Sequence, residues 1–594
     1  MRESDKITSK NLLDRIDKAM SRKKADLVIK NAKVFNVFTE EFERGNLAIA
    51  DGYFIGMGDY EGEVEIDGTR KFIVPSFIDS HIHLESAIVS PAKFRDAVVS
   101  RGTCAVVCDP HEITNVAGME GIQFILDTTK DLDIDCYVMV PSCVPSTALD
   151  ESGARLEAED ISKVYGKDRV LGLAEFMNSY GLVHGDKSCV NKCVETLNRD
   201  LLIDGHAPNV SGKDLNAYCT CNISTDHECS FIREAIEKVS VGQKVEIREG
   251  TACHNLQGLV GLIRNPFYQS CLFATDDKHP GDLIHLGHID HIIRLAIKKG
   301  AEPLKCYKIA SYNSAVHYGL HRMGAIAPGY KANFLILDNY KKVIIDSCYL
   351  NGKQVSKGSE ILEKFADKEN IDKSKYPRVF NSFNLNELTE KDFMFELPDG
   401  EAKANVISLV PGGILTKCKE VTLNKDTKEF GVDTKKDIVK LAVIERHKNT
   451  GHIGLALMNG YGIKEGAVAS SVSHDSHNII VVGTNAKDMA LAANTIRNNK
   501  GGLCIARDGK VIKDLAFEIA GLMTSQDINY VSDTMEEMKE ICYNQFGVNT
   551  VYDPFMTLAF ISLPVIPDVK LTTLGLVKVE TQEIIPPIFV QTNN

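Results

Sequence analysis

The sequence predicts an α/β protein built on a (β/α)8 barrel of the TIM type, flanked by a small β-domain and followed by a further α/β domain. Three observations carry this prediction. Strand-like and helix-like stretches alternate between residues 71 and 300. Eight strand-like runs occupy that span, and about 250 residues is the usual size of such a barrel. Histidines and carboxylates recur at the C-terminal ends of these runs, on the face where barrel enzymes carry their chemistry.

In chain order, "SKNLLDRIDKAM" predicts a short amphipathic helix in an N-terminal tail, residues 1–24. "ADLVIKNAKVFNVFTEEFERGNLAIADGYFIGMGD" alternates like short β-strands with turns between them. "GAIAPGYKANFLILDNYKKVIIDSCYLNGKQV", beyond the barrel, does the same. One β-domain assembled from residues 25–75 and 324–360 is the economical reading. The barrel itself spans 76–323. Its strands are "KFIVPSFID", "CAVVCD", "CYVMVPS", "VLGLAEF", "LLIDGH", "NISTDH", "KVEIREG" and "SCLFATDD". Helical periodicity separates most of them, in "PAKFRDAVVSRG", "GMEGIQFILDTTK", "SCVNKCVETLNRD", "FIREAIEKVSVG" and "LQGLVGLIRN", and "GHIDHIIRLAIKKG" follows the last. Strand–helix alternation implies a parallel sheet. "KFADKENIDKSKYP" is a charged linker. Residues 376–594 then form the last domain, with strands "KLAVIER", "NIIVVG" and "GGLCIAR" and the helix "AKDMALAANTIRNN".

Composition narrows the function. A chain of 594 residues with net charge −13 disfavours nucleic-acid partners, which need a basic surface. No apolar run is long enough to span a membrane, and the charged N-terminus has no secretory signal. Sixteen cysteines without a CxxC pair fit reduced thiols and a cytoplasmic location.

In "FIDSHIHLES", His81 and His83 lie two residues apart on an extended segment and point the same way. By itself the pair fits either a metal site or a polar strand edge. Further along, the strand ends add Asp109, His111, Glu112, Glu175, His206, His227, Asp276 and Asp277. Unpartnered buried polar groups are costly, so their convergence favours a metal centre. "SHDSHN", with His474, Asp475 and His477, reads alone as a polar turn before a strand.

These residues resemble the amidohydrolase superfamily: HxH on the first strand, an acid on the fourth, single histidines on the fifth and sixth and an aspartate on the eighth. "DSHIHLES", "CDPHEITNV", "GLAEFMN", "DGHAP" with "SGKDLNAY", "DHE", "IREG", "TDDKHP", "GHIDH" and "SVSHDSHNIIVVG" are similar, more closely, to the bacterial adenine deaminase family over nearly the whole chain. The sequence departs from that pattern at Ser76, where glycine is usual, and at His254, where arginine is usual.

The resemblance implies metal-dependent hydrolysis of adenine to hypoxanthine and ammonia. A divalent cation lowers the pKa of bound water from ~15.7 to about 7. His81 and His83 would hold one metal and His206 and His227 a second, with Glu175 bridging. Asp276 would touch a metal and take the proton from the attacking water, with Glu85 and Glu112 as lesser candidates for proton transfer. His111, Asp277, His474, Asp475 and His477 are expected to bind substrate. Imidazole and carboxylate donors suit manganese, iron or zinc, and the resemblance implies manganese or iron. A homo-oligomer, dimer or higher, is expected.

Rival readings are weaker. Another amidohydrolase acting on a cyclic amide, such as a dihydroorotase or hydantoinase, often bridges its metals with a carboxylated lysine, where this chain has Glu175. A different 6-substituted purine remains an alternative substrate. "HLE" matches the HxE of cytidine-deaminase-type zinc enzymes, but no PCxxC follows. A metal-storage or scaffold role leaves the HxH and TDD sets without purpose.

Overall fold

The computed structural model describes residues 7–395, 402–411, 415–423 and 431–590. Before the parallel strands lie β1 (Ala25–Asn36), β2 (Glu41–Ala50), β3 (Tyr53–Met57), β4 (Gly62–Asp67) and β5 (Phe72–Pro75). Then come β6 (Phe77–Ile82), β7 (Thr103–Cys108), β8 (Asp135–Val140), β9 (Val170–Phe176), β10 (Leu202–Gly205), β11 (Thr225–Asp226), β12 (Lys244–Arg248) and β13 (Cys271–Ala274). Four strands follow: β14 (Phe334–Asn339), β15 (Ile344–Leu350), β16 (Lys353–Lys357) and β17 (Glu360–Ile361).

The first and last of these groups form one sheet, in the order β17-β16-β15-β14-β5-β1-β2-β3, with β4 pairing β1. Strand β5 is the seam, parallel to β1 and antiparallel to β14. The run "KFIVPSFID", read as one strand, is therefore two. Its first half joins the flanking sheet and its second half, β6, enters the parallel sheet. The break falls at Ser76, whose amide donates to the Asn333 carbonyl.

Strands β6 to β10 form one parallel sheet, in that spatial order, and β11 to β13 a second. Single parallel bridges link the two arcs at both sides, Ile203 with Ile223 and Ile82 with Asp276. Every residue of β6, β7 and β13 is buried, as strands covered on both faces require. Strand β11 is only two residues long. Buried Asp226 there accepts from the Ala207 amide and pairs with Lys238 at 2.9 Å, so side-chain bonds hold this stretch where the ladder is thin. The helices at Pro91–Val99, Met119–Thr129, Lys187–Leu197, Ile232–Ser240 and Ile289–Lys298 follow the expected pattern. "LQGLVGLIRN" is shorter than expected, one helical turn and a 3-10 turn. An unexpected helix, Gly212–Thr220, lies between β10 and β11. No helix among the described residues is long and apolar enough to cross a membrane, and all sixteen cysteines are free.

A mixed nine-stranded sheet dominates the C-terminal part. Its central strand Ile438–Ile444 is wholly buried and pairs with Ile453–Asn459 and Ile479–Gly483. The loop "SHDSHN" leads into the latter. Buried Arg446 clamps this loop: Nε donates to the His477 carbonyl, Nη1 to the Ser382 carbonyl and Nη2 to the Ala520 carbonyl. Between the two parts, Val89 and Thr524 pair as a single parallel bridge, and Glu151 accepts from Thr573 Oγ1 at 2.6 Å. The loop is thereby fixed over the strand ends that carry the histidines.

Gly205 closes β10 immediately before His206. A Cβ there would stand 2.3 Å from the Thr225 carbonyl oxygen. We expect Gly205→Ala to destabilise the protein by about 1–3 kcal/mol through overpacking and to push β10 and β11 apart. A thermal melt of the variant, with bound metal measured beside it, checks this; an unchanged melting temperature would show that the two strands yield freely.

Candidate active site

His81 lies in β6 and His83 one residue beyond it. Their Nε2 atoms are 3.3 Å apart. The Asp109 carbonyl, 2.9 Å from His83 Nδ1, takes its proton and leaves Nε2 as a free donor atom. Asp276 Oδ1 stands 2.9 Å from His83 Nε2 and 3.7 Å from His81 Nε2. Glu175 Oε1 lies 3.4 and 4.0 Å from the same two nitrogens. The other oxygen of Glu175 faces the opposite pair, 2.7 Å from His206 Nδ1 and 3.0 Å from His227 Nε2. Those two nitrogens are 3.3 Å apart.

Ligand atoms bound to one cation at about 2.0–2.2 Å stand roughly 3–4 Å from each other, and both groups match that spacing. One comprises His81, His83, Asp276 and Glu175 Oε1; the other His206, His227 and Glu175 Oε2. The donors are imidazoles and carboxylates, with no thiolate among them, and all are buried except the slightly exposed His206. These residues fit two divalent cations. Burial would raise the Glu175 pKa, but the charges of His227 and His206 hold it well below the usual carboxylate range.

Sequence reasoning missed Arg248. Its Nη1 donates to Asp276 Oδ2 and to Glu228 Oε1, both at 2.5 Å, and Nε donates to Asn255 Oδ1 at 3.0 Å. One oxygen of Asp276 is thus occupied, and only Oδ1 faces the histidines. Against burial, Arg248 and the two histidines keep Asp276 well below its ordinary pKa. Asp276 sits at φ 57°, a backbone state unfavourable for a residue with a Cβ and typical of functional sites. The signal for Arg248 was present: Glu246 and Arg248 alternate with Val245 and Ile247, so β12 sends charge to one side.

Beside the histidines opens a cavity between the parallel sheets and the C-terminal part. Glu85, Ser86, Glu112, Asp277 and His474 line one wall, and Phe517, Met535, Phe555 and Phe560 are among the residues of the other. Glu85 Oε1 accepts from the Ile113 amide at 3.0 Å, while its Oε2 has no partner. Burial raises the Glu85 pKa; burial with the charges of Asp277 and Glu85 pushes Glu112 well above the usual range. Asp277 accepts from Ser86 Oγ at 2.5 Å. His474 Nδ1 stands 3.3 Å from Glu112 and its ring stacks on Phe560, centroids 4.5 Å apart. Asp475 Oδ1 lies 3.7 Å from His111 Nε2, and His477 Nε2 4.0 Å from Glu112. Every site residue expected from the sequence is therefore in this one region. His254 is not: it is half-exposed and pairs with Glu249 at 2.8 Å.

Residues 72–373 match the model of the amidohydrolase family, and residues 413–583 that of the adenine deaminase C-terminal domain. The chain belongs to the amidohydrolase family. Its relatives narrow the class. It is 42% identical over 562 residues to an adenine deaminase of Clostridium acetobutylicum, covering 95% of this chain and 97% of that protein. A Petrotoga mobilis adenine deaminase is 43% identical over 562 residues, with the same coverage. "Adenine deaminase 2" of Carboxydothermus hydrogenoformans is 41% identical over 577 residues, covering 97% of this chain and 99% of that one. Among amidohydrolases, this is a member of the adenine deaminase family.

The two donor groups generate a stoichiometric expectation. Elemental analysis of active protein should find about two divalent ions per chain, as a two-metal site requires. His206→Ala should reduce this to about one, since it removes a donor from one group only. Full activity with a single ion would leave the second group structural.

Proposed function

We propose that the protein hydrolyses adenine to hypoxanthine and ammonia, as a hydrolase acting on C–N bonds. The observation that carries this is the Glu175 carboxylate set between two histidine pairs, beside a largely apolar cavity that carries Glu85, Glu112 and Asp277 on one side. Two divalent cations bound there, manganese or iron on the family resemblance, would supply a hydroxide-strength nucleophile at neutral pH.

The chain's own residues do the rest. In our reading the purine lies in the cavity with its apolar face against the C-terminal wall and its polar edge toward Glu85, Glu112, Asp277 and His474. His111, Asp475 and His477 brace that edge. Water adds to C6, and Asp276 Oδ1 accepts its proton, Oδ2 being held by Arg248. Glu85 or Glu112, whose carboxyls burial shifts toward the protonated form, donates to N1 as the C6–N1 π bond opens. The C6–N6 bond then breaks. Asp276 returns its proton to the departing nitrogen, which leaves as ammonia, and the C6 hydroxyl gives its proton back to the Glu85 or Glu112 carboxylate as the C6 carbonyl forms. Preorganised donors in a dry site serve such a charge shift without reorganisation.

We further read the eight strands as a closed (β/α)8 barrel over 76–323, beside a β-domain of 25–75 with 324–360 and a C-terminal domain of 376–594. Purine salvage in the cytoplasm, by a homo-oligomer, fits this reading.

Asp276→Asn keeps the size of the side chain and removes the base. We expect adenine turnover to fall at least about 10²–10⁴-fold with the fold intact. Asp277→Asn should lower turnover less and leave bound metal unchanged. Ultraviolet assay of adenine loss, with metal analysis of both variants, decides; near-normal turnover in Asp276→Asn would move the base to Glu85 or Glu112.

A further inference from the structure

Beneath the candidate metal centre, inside the ring of strands, lie polar groups the reaction does not use. His227 turns Nε2 to Glu175, so Nδ1 faces away from the centre, toward Glu246 Oε2 at 3.8 Å. Both of these atoms are fully buried without a hydrogen-bond partner. The other oxygen of Glu246 accepts from Tyr318 Oη at 2.9 Å. Tyr318 Oη also lies 3.1 Å from Asp204 Oδ2, and Asp204 Oδ1 accepts from Thr225 Oγ1 at 3.0 Å. Asp204, His227, Glu246 and Tyr318 expose at most 3% of their surface.

Two carboxyls buried in a barrel interior are expensive to keep. Among the described residues neither forms an ion pair with a lysine or arginine, and His227 is the one ionisable base that pairs with Glu246. Nor does the arrangement serve substrate, since none of these side chains lines the cavity. A histidine that binds metal through one nitrogen needs an acceptor for the proton on the other. That acceptor fixes the ring and makes the ligand more basic. His83 has the Asp109 carbonyl in this role. Glu246 stands where His227 needs the equivalent.

We infer that Glu246, steadied by Tyr318 and Asp204, is a positioning residue that sets His227 as a ligand of the second cation. The inference rests on the two-metal reading above. Tyr318 Oη lies between the two carboxyls and holds one oxygen of Glu246, leaving Oε2 toward His227. The hydrogen bonds run from Thr225 through Asp204 and Tyr318 to Glu246, whose Oε2 stands 3.8 Å from His227 Nδ1, in a place where no solvent competes.

The test is binding of Mn2+ to metal-stripped protein, followed by calorimetry, for wild type, Glu246→Gln and Tyr318→Phe. Wild type should bind two ions. Glu246→Gln should weaken one of the two by about 10–100-fold, the usual cost of losing such a partner, and leave the other unchanged. Tyr318→Phe should shift the same site in the same direction by less, and it carries the test alone if Glu246→Gln does not fold. In the cobalt-substituted variants the visible absorption of that site should change. A merely structural role would lower the melting temperature of the metal-free protein and leave both affinities and the cobalt spectrum as in wild type. That result overturns the inference and leaves the two-metal reading standing. Binding of a single ion by wild type overturns the two-metal reading, and this inference with it.

Discussion

A single buried carboxylate organises the centre of this molecule. Glu175 has two oxygens and five imidazoles around them, and it lies on the fourth strand of the parallel sheets, away from solvent. A charge so placed is tolerated only with close partners of opposite character. The surrounding strands must therefore bring His81, His83, His206 and His227 to within hydrogen-bond or ion-pair distance of one residue. That demand ties together strands more than a hundred residues apart in sequence. It also accounts for the short bonds at the rim: the clamp of Arg248 on Asp276 and the Asp109 carbonyl behind His83 hold second partners of the same cluster in place.

The C-terminal part completes what the strands begin. The strand ends supply acids and imidazoles but no surface for a flat aromatic ring. Phe517, Met535, Phe555 and Phe560 supply it from the far side of the cavity. Arg446 makes this precise by spending its donors on three backbone carbonyls, so that the loop bearing His474 and Asp475 has one shape. Burial pushes the Arg446 pKa down to about 9, yet no carboxylate has been placed within ion-pair distance of it among the described residues. Its work is geometric.

The candidate ligands could be picked out because they obey simple periodicities. His81 and His83 share a side by strand alternation, and the remaining ligands each end an apolar run. Elements of strong period were also legible, such as the helices at Ile232–Ser240 and Ile289–Lys298. Less could be read where tertiary bonds replace periodic ones. "NISTDH" yields a two-residue strand, Thr225 and Asp226 paired with Lys244 and Val245, and the buried side chain of Asp226 is held by Lys238. The split at Ser76 depends on Asn333, 257 positions away, and no local signal reports it. Arg248 and Glu246 were hidden for another reason: in "KVEIREG" they look like the polar face of an edge strand, and only the curvature of the sheets turns that face inward.

The cavity has walls from opposite ends of the gene. Asp277 and Phe560 are made on the order of 15–60 s apart at ordinary elongation rates. A nascent chain can therefore assemble its cation-binding cluster while the aromatic wall is still unmade on the ribosome. During that interval the acidic half of the cavity is open to water, and any ion the cluster acquires has no base to act upon. With the proposed site, adenine turnover waits until translation has delivered Phe560 and its neighbours, and an interrupted message leaves half a cavity.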